Sequence, residues 1–176
     1  NYKDIFTPED FDDEHRMVAD SISAFLDEHV FPVMDDMDAK KDGLMRELLV
    51  KAGEYGFLGS DIPEKYDGTE TDEICSTIIA EKVGATGSFA IAHGGQTGIG
   101  NLPIVYFGNE EQKQKYLPSI VTAEKVTAYA LTEPGSGSDA LSATTKAVLN
   151  PEGTHYILNG GKTFISNAGI ADIFIV

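Results

Sequence analysis

The chain has 176 residues, 41% hydrophobic and 24% charged, which is material for one domain and part of a second. Its formal net charge of −16, from 29 acidic against 13 basic side chains, argues against nucleic acid and anionic membranes as partners. A single cysteine, Cys75, excludes an intrachain disulfide and fits a reducing, intracellular setting, and no apolar run approaches the length of a membrane span.

The first two thirds read as helices. Thr7-Pro8-Glu9-Asp10 predicts a helix start, with Thr7 as cap, Pro8 at the first position and Phe6 stapled to Phe11. Val18, Ile22, Phe25 and Leu26 then recur at helical spacing, until Pro32 ends or kinks the helix. A second helix is predicted over about 43–55, with Leu44, Leu48 and Ala52 on one face and Gly56 as its C-terminal cap. Residues 57–69 read as loop. Ile74, Ile78 and Val83 outline a third helix over about 72–83, on which Cys75 is expected to be buried and inert. The glycines of 86–100 weaken a helix there, yet the stretch lacks the alternation of a strand. Residues 102–107 form a short helix ended by Gly108. Asn109-Glu-Glu-Gln112 is a capping-box pattern for a last helix, which is expected to stop before Pro118.

From Val126 the period changes. An apolar run to Leu131 meets a dense block of turn residues, Thr132-Glu-Pro-Gly-Ser-Gly-Ser-Asp139. Gly135 and Gly137 let the backbone approach a ligand, and Pro134 holds Glu133 extended. Residues 143–149, 155–158, 163–166 and 172–176 are β-rich, separated by Asn150-Pro-Glu-Gly153, Asn159-Gly-Gly161 and Asn167-Ala-Gly169. Helices first and strands second give an α+β class or two successive domains. The block is not a dinucleotide fingerprint, because that needs a helix directly after it to hold the pyrophosphate. None of His15, His29, His93 and His155 has ligand spacing or a companion cysteine, so no metal site is expected. His93 reads as a core histidine.

Two motifs carry a resemblance. "AYALTEPGSGSDALSATTKA" at 128–147 and "KTFISN" at 162–167 resemble the signatures of the acyl-CoA dehydrogenases, flavoenzymes that place a double bond α,β to a thioester. "NEEQKQKYLPSIVTAEKV" at 109–126 resembles the family's approach to the first motif. The likeness covers nearly the whole chain, and the chain covers about the first half of a family member. It favours a closely packed helix for 86–100. It implies an N-terminal all-α helical domain over 1–125 and the start of a β-barrel-like middle domain over 126–176. The family's C-terminal helical domain is expected to lie outside this chain, which opens without Met and stops in an apolar, strand-like run.

The resemblance also assigns roles. Tyr129, Leu131, Thr132, Phe164 and Ser166 match the family's FAD contacts, Phe164 standing where the family usually has Trp. Ser138 matches the loop serine that contacts acyl-CoA. Glu133 falls in the structural turn, and no catalytic base is expected before Val176. The implied reaction oxidises fatty acyl-CoA to trans-2-enoyl-CoA, as in β-oxidation. A carboxylate takes the α-proton, the β-hydrogen leaves as hydride to the flavin, and an electron-transfer flavoprotein takes the electrons. The wording of 155–176 looks most like the long-chain and very-long-chain branches. A homo-oligomer in the bacterial cytoplasm or mitochondrial matrix is implied for the whole enzyme. This stretch alone is expected to be inactive and a poor flavin binder, with an association-prone strand edge at its end. An oxidase or flavin monooxygenase on the same scaffold, or a non-catalytic helical interaction module, are the alternative readings.

Overall fold

The computed structural model describes residues 5–176. Among these, seven α-helices precede four short strands, so the α+β order holds. Thr7 donates its N–H and hydroxyl to Asp10 Oδ2, but around a single 3₁₀ turn only, Pro8–Asp10. Phe11, at φ −59° and ψ 129°, interrupts the helix. Helix α1 (Asp13–Phe25) starts instead at Asp12, whose carboxylate accepts the His15 N–H at 3.0 Å. The predicted start is therefore one turn early, although Phe6 and Phe11 do meet, with ring centroids 5.9 Å apart.

Pro32 lacks the N–H that a continuing helix needs. The chain answers with a wide π turn at Leu26–Val30 and a 3₁₀ turn at Phe31–Val33 before α2 (Met34–Asp38). Helix α3 (Leu44–Glu54) closes at Gly56, whose φ of +83° suits glycine, and Gly56 and Phe57 donate their N–H groups to the Gly53 and Ala52 carbonyls. The loop after it is packed, with Leu58 and Ile62 fully buried. Helix α4 (Glu73–Val83) is capped by Asp72 and lies along α1. His15 Nδ1 lies 3.2 Å from the Asp12 N and Nε2 2.9 Å from Asp72 Oδ2, so the ring bridges the start of α1 and the cap of α4.

The glycine-rich stretch is helical after all: α5 (Ser88–Thr97) crosses the middle of the core. Phe25, Leu49, Phe57, Leu58, Phe89 and Val126 pack in one cluster around it. Burying each such side chain contributes about 1.5–3 kcal/mol. His93 on α5 is a core histidine, 3.0 Å from the Phe57 carbonyl, and burial lowers its pKa so that it stays neutral. Helix α6 (Leu102–Phe107) ends at Gly108, as expected. Helix α7 (Glu110–Val121) opens with the reciprocal Asn109–Gln112 bonds, each 2.9 Å. It runs through Pro118 instead of stopping before it. A proline inside a helix costs about 3 kcal/mol. Here Leu117, Ile120 and Val121 are buried against Ile62 and Tyr66, and that burial holds the last turn.

Strand β1 (Thr127–Tyr129) pairs in parallel with β4 (Ile173–Ile175), Thr127 opposite Ile173 and Tyr129 opposite Ile175. Strands β2 (Lys146–Leu149) and β3 (Tyr156–Asn159) form an antiparallel hairpin. Its turn is built on Asn150, whose side-chain oxygen accepts the N–H groups of Thr154 and His155 at 2.8 and 3.0 Å. Three β-rich runs are shorter than expected: 172–176 pairs only over Ile173–Ile175, 143–145 stays outside the sheet, and 163–166 forms no strand at all. At the last of these, Phe164 takes φ +56°, which no strand accommodates.

Three polar side chains join the helices to the strands. Gln96 on α5 donates to the carbonyls of Ile120 and Lys125 at 2.9 and 3.0 Å. Its oxygen accepts the Thr127 N–H and hydroxyl at 2.8 and 2.9 Å. Asn167 Nδ2 donates to the Ala92 and Thr127 carbonyls at 3.0 and 3.3 Å. Arg46 on α3 reaches the Ile170 carbonyl at 2.7 Å and Asp172 at 2.6 Å, and Asp172 in turn accepts the Val126 N–H at 2.9 Å.

Glycines in α5 and in the turn after it make this join possible. A Cβ at Gly95 would lie 2.8 Å from Asn167 Nδ2, and one at Gly100 would collide with the Thr127 hydroxyl and the Gly95 carbonyl. Gly94, one residue earlier, faces open space. We expect Gly94→Ala to stabilise the chain by about 0.5–1 kcal/mol through helix propensity alone. Gly95→Ala should instead destabilise it by about 1–3 kcal/mol by displacing the Asn167 amide. Denaturant unfolding of both variants checks the pair, and equal effects would show that Asn167 is not held against α5.

Candidate functional site

Where β1 ends, the chain turns sharply. The backbone groups of Glu133 and Ser136 bond to each other in both directions, at 2.8 and 3.1 Å. The Glu133 side chain points back into the loop and is buried. Its Oε2 accepts the Thr144 N–H and hydroxyl at 2.6 and 2.8 Å. Its Oε1 accepts the Thr145 N–H and the Lys162 ammonium, both at 2.9 Å. The Thr145 hydroxyl beside it, the two backbone N–H groups and Lys162 together hold the carboxyl far below the usual carboxylate range. A carboxylate so stabilised is a poor proton acceptor, in keeping with a structural rather than a basic role.

The second motif is drawn against the first. Thr163 N–H donates to the Thr132 carbonyl at 2.9 Å, and Lys162 Nζ donates to the Leu131 carbonyl at 2.9 Å. Asn167, at φ +64°, anchors the far end of the motif on α5. Between these anchors Phe164 stands out from the surface, 91% exposed, its left-handed backbone costing about 1–3 kcal/mol.

Each expected ligand residue can now be placed. Leu131 is 40% exposed at the end of the β1 run, so neither it nor Phe164 belongs to the core of this chain. Tyr129 is half-buried and lines an apolar hollow of about 370 Å³ with Ile99, Leu102, Pro103 and Tyr106. Thr132 and Ser166 are half-buried, and among the described residues their hydroxyls have no protein partner. Ser138 is exposed and its hydroxyl is equally unengaged. The serine that serves its own loop is Ser136, which donates to the Asp139 carbonyl at 2.7 Å. Thr132 and Ser166 thus sit on two segments that are bonded together, whereas Ser138 stands on the loop beyond the turn.

Folding also brings together a group the spacing did not show. His15, Asp72 and Cys75 place one ligand-type atom each within 4.8 Å of one another. The histidine therefore has a cysteine companion, contrary to the reading of the sequence. Burial pushes the Cys75 thiol up to about 12, and His15 and Asp72 are engaged in joining α1 to α4. The hydrogen bond to Asp72 raises the His15 pKa, and the same bond lowers Asp72 to about 2.

The helices thus hand two adjoining polar loops to the start of a β-domain. Residues 12–124 match the family model described as acyl-CoA dehydrogenase, N-terminal domain, and residues 128–176 match acyl-CoA dehydrogenase, middle domain. The chain belongs to the acyl-CoA dehydrogenase family. A probable acyl-CoA dehydrogenase of Bacillus subtilis is 52% identical over 175 residues, 99% of this chain and 30% of that protein. A short-chain specific acyl-CoA dehydrogenase of Clostridium acetobutylicum is 36% identical over 167 residues, 93% of this chain and 42% of its own length. The crystal structure of a Bacillus anthracis acyl-CoA dehydrogenase complexed with FAD superposes with a TM-score of 0.96 at 55% identity, covering 98% of this chain and 30% of that one. The chain thus spans 30% of the length of the Bacillus subtilis relative.

Sequence reasoning passed over Lys162 and the hollow beside Tyr129. The lysine lies inside the second motif, but its partner Glu133 lies 29 residues away in the chain, and only folding brings the two together. The hollow leaves no mark in the sequence either, because its residues come from separate turns of helix and strand. One prediction follows from Phe164. In the chain as it stands, Phe164→Gly relieves the left-handed backbone and should raise stability by up to about 1 kcal/mol. Thermal unfolding reads this, and a loss of stability would show that the phenyl ring packs on the fold.

Proposed function

We propose that this chain is the N-terminal part of an FAD-dependent acyl-CoA dehydrogenase, with Tyr129, Leu131, Thr132, Phe164 and Ser166 on the flavin and Ser138 on the acyl-CoA. One observation carries the reading. The two motif segments are bonded side by side at Thr132 and Thr163, with two hydroxyls and an aromatic face left over for a ligand. An isoalloxazine ring needs just such a mixture, an apolar surface for its face and hydrogen-bonding groups for its edge. The donor set therefore fits FAD, which when bound would supply a hydride acceptor. The hollow beside Tyr129 offers apolar walls to an acyl chain.

The finer assignments are part of the same proposal. The reaction is the α,β-oxidation of an acyl-CoA thioester, the step found in β-oxidation, with an electron-transfer flavoprotein as acceptor. The acyl group is read as short rather than long, on the name of the Clostridium acetobutylicum relative, and the expected long-chain branch finds no counterpart among the relatives above. The whole enzyme is read as a homo-oligomer of the cytoplasm or the mitochondrial matrix, and among the described residues no helix is long and apolar enough to cross a membrane. The proton-accepting carboxylate belongs to the part of the enzyme outside residues 1–176.

In the full-length protein, Thr132→Val and Ser166→Ala should each weaken FAD binding by about 0.5–1.5 kcal/mol, the net value of one hydrogen bond. Ser138→Ala should raise the KM for acyl-CoA and leave FAD content unchanged. Loss of FAD in the Ser138 variant, or unaltered affinity in the other two, would remove those residues from the site. Residues 1–176 expressed alone should not turn over acyl-CoA or retain FAD. Flavin reduction by substrate in that preparation would place the base within this chain after all.

A further inference from the structure

We propose that Lys162 is a positioning residue. Its ammonium, neutralised by Glu133, sets the distance between the two segments that carry the flavin contacts. The inference rests on the flavin reading of those segments and adds what holds them at their working separation.

Three observations carry it. Lys162 is the residue that bonds both to the end of the β1 run, at the Leu131 carbonyl, and to the turn, at Glu133 Oε1, each at 2.9 Å. It immediately precedes Thr163, whose N–H makes the backbone bond to Thr132. The ammonium is thus bonded on either side of the residue whose hydroxyl is offered to the flavin. The pair is also shielded from water. The side chains of Lys162 and Glu133 are 18% and 3% exposed, against 61% and 50% for Lys41 with Asp36 and 60% and 63% for Lys65 with Glu110. Exposed pairs of the latter kind fix little, because water competes for both partners. Finally, Glu133 has no slack: its other bonds go to Thr144 and Thr145, so the carboxylate is a fixed point against which the lysine is held.

The alternative is that Lys162 serves the stability of the fold and nothing else. A flavin signature separates the two, because general stability does not move the spectrum of a bound ring. The test uses the full-length protein with Lys162→Met, which keeps length but cannot donate, and Lys162→Arg, which restores a cation. Lys162→Met should raise the FAD dissociation constant by about tenfold, as befits a shielded charge-assisted hydrogen bond. It should also shift the visible absorbance of the FAD that remains bound. In the FAD-free protein it should speed hydrogen exchange at the Thr163 amide. Lys162→Arg should recover part of each effect. Should Lys162→Met fail to fold, Lys162→Gln, a neutral donor, reads the same quantities. Thr132→Val is the control. If it perturbs the flavin while Lys162→Met leaves affinity, spectrum and exchange unchanged, the positioning role is wrong. If neither variant perturbs the flavin, the site reading falls and this inference falls with it.

Discussion

The fold turns on the side chain of Gln96. It is fully buried, and both amide hydrogens and both oxygen lone pairs are used. Its four partners lie in three places: the last turn of α7, the connection at Lys125, and the first residue of β1. A buried amide that met only some of these needs would be destabilising, since each unmade bond leaves a desolvated polar atom. Fully met, they leave one arrangement of helix and strand. Through that residue the helical part fixes where β1 begins, and β1 fixes where the polar turn emerges.

A similar logic applies at the turn, with charge in place of an amide. Glu133 sits in a motif beside the expected ligand residues, and a carboxylate in such a place invites a role in proton transfer. Its surroundings point the other way. Two backbone N–H groups, a hydroxyl and an ammonium favour the anion, and an anion so favoured does not take up a proton readily. The turn thereby keeps its shape without drawing on the hydroxyls of Thr132, Ser138 and Ser166, which stay available.

Much of this was legible from residue pattern, and what was not has physical reasons. Short-range signals read well: the Asn109–Gln112 capping box, the glycine at the end of α3 and the helical period of α4 depend on neighbours within one turn. The start of α1 was misplaced because two capping residues, Thr7 and Asp12, lie five positions apart and only the second leads into a long helix. Pro118 was overrated as a helix stop, since burial of Leu117 and Ile120 outweighs a local penalty that the sequence shows plainly. Residues 163–166 have β-forming composition, but the anchors at Lys162 and Asn167 lie elsewhere in the fold and bend the segment. The same applies to the site. The resemblance named the residues, and only the fold shows that Thr132 and Thr163 are bonded, that Lys162 lies between the segments, and that His15 meets Cys75.

The close approach of Asn167 to Gly95 has a consequence for how such a sequence can vary. The amide that holds the second motif occupies the volume a side chain at position 95 would need. Neither position can change first without loss: a larger residue at 95 evicts the amide, and a smaller one at 167 leaves a gap on α5. The two behave as a single heritable unit, although 71 intervening residues separate them in the chain. Drift in the helical domain is thereby constrained by the loop it supports, and a graft of one part onto a foreign partner must carry both positions together.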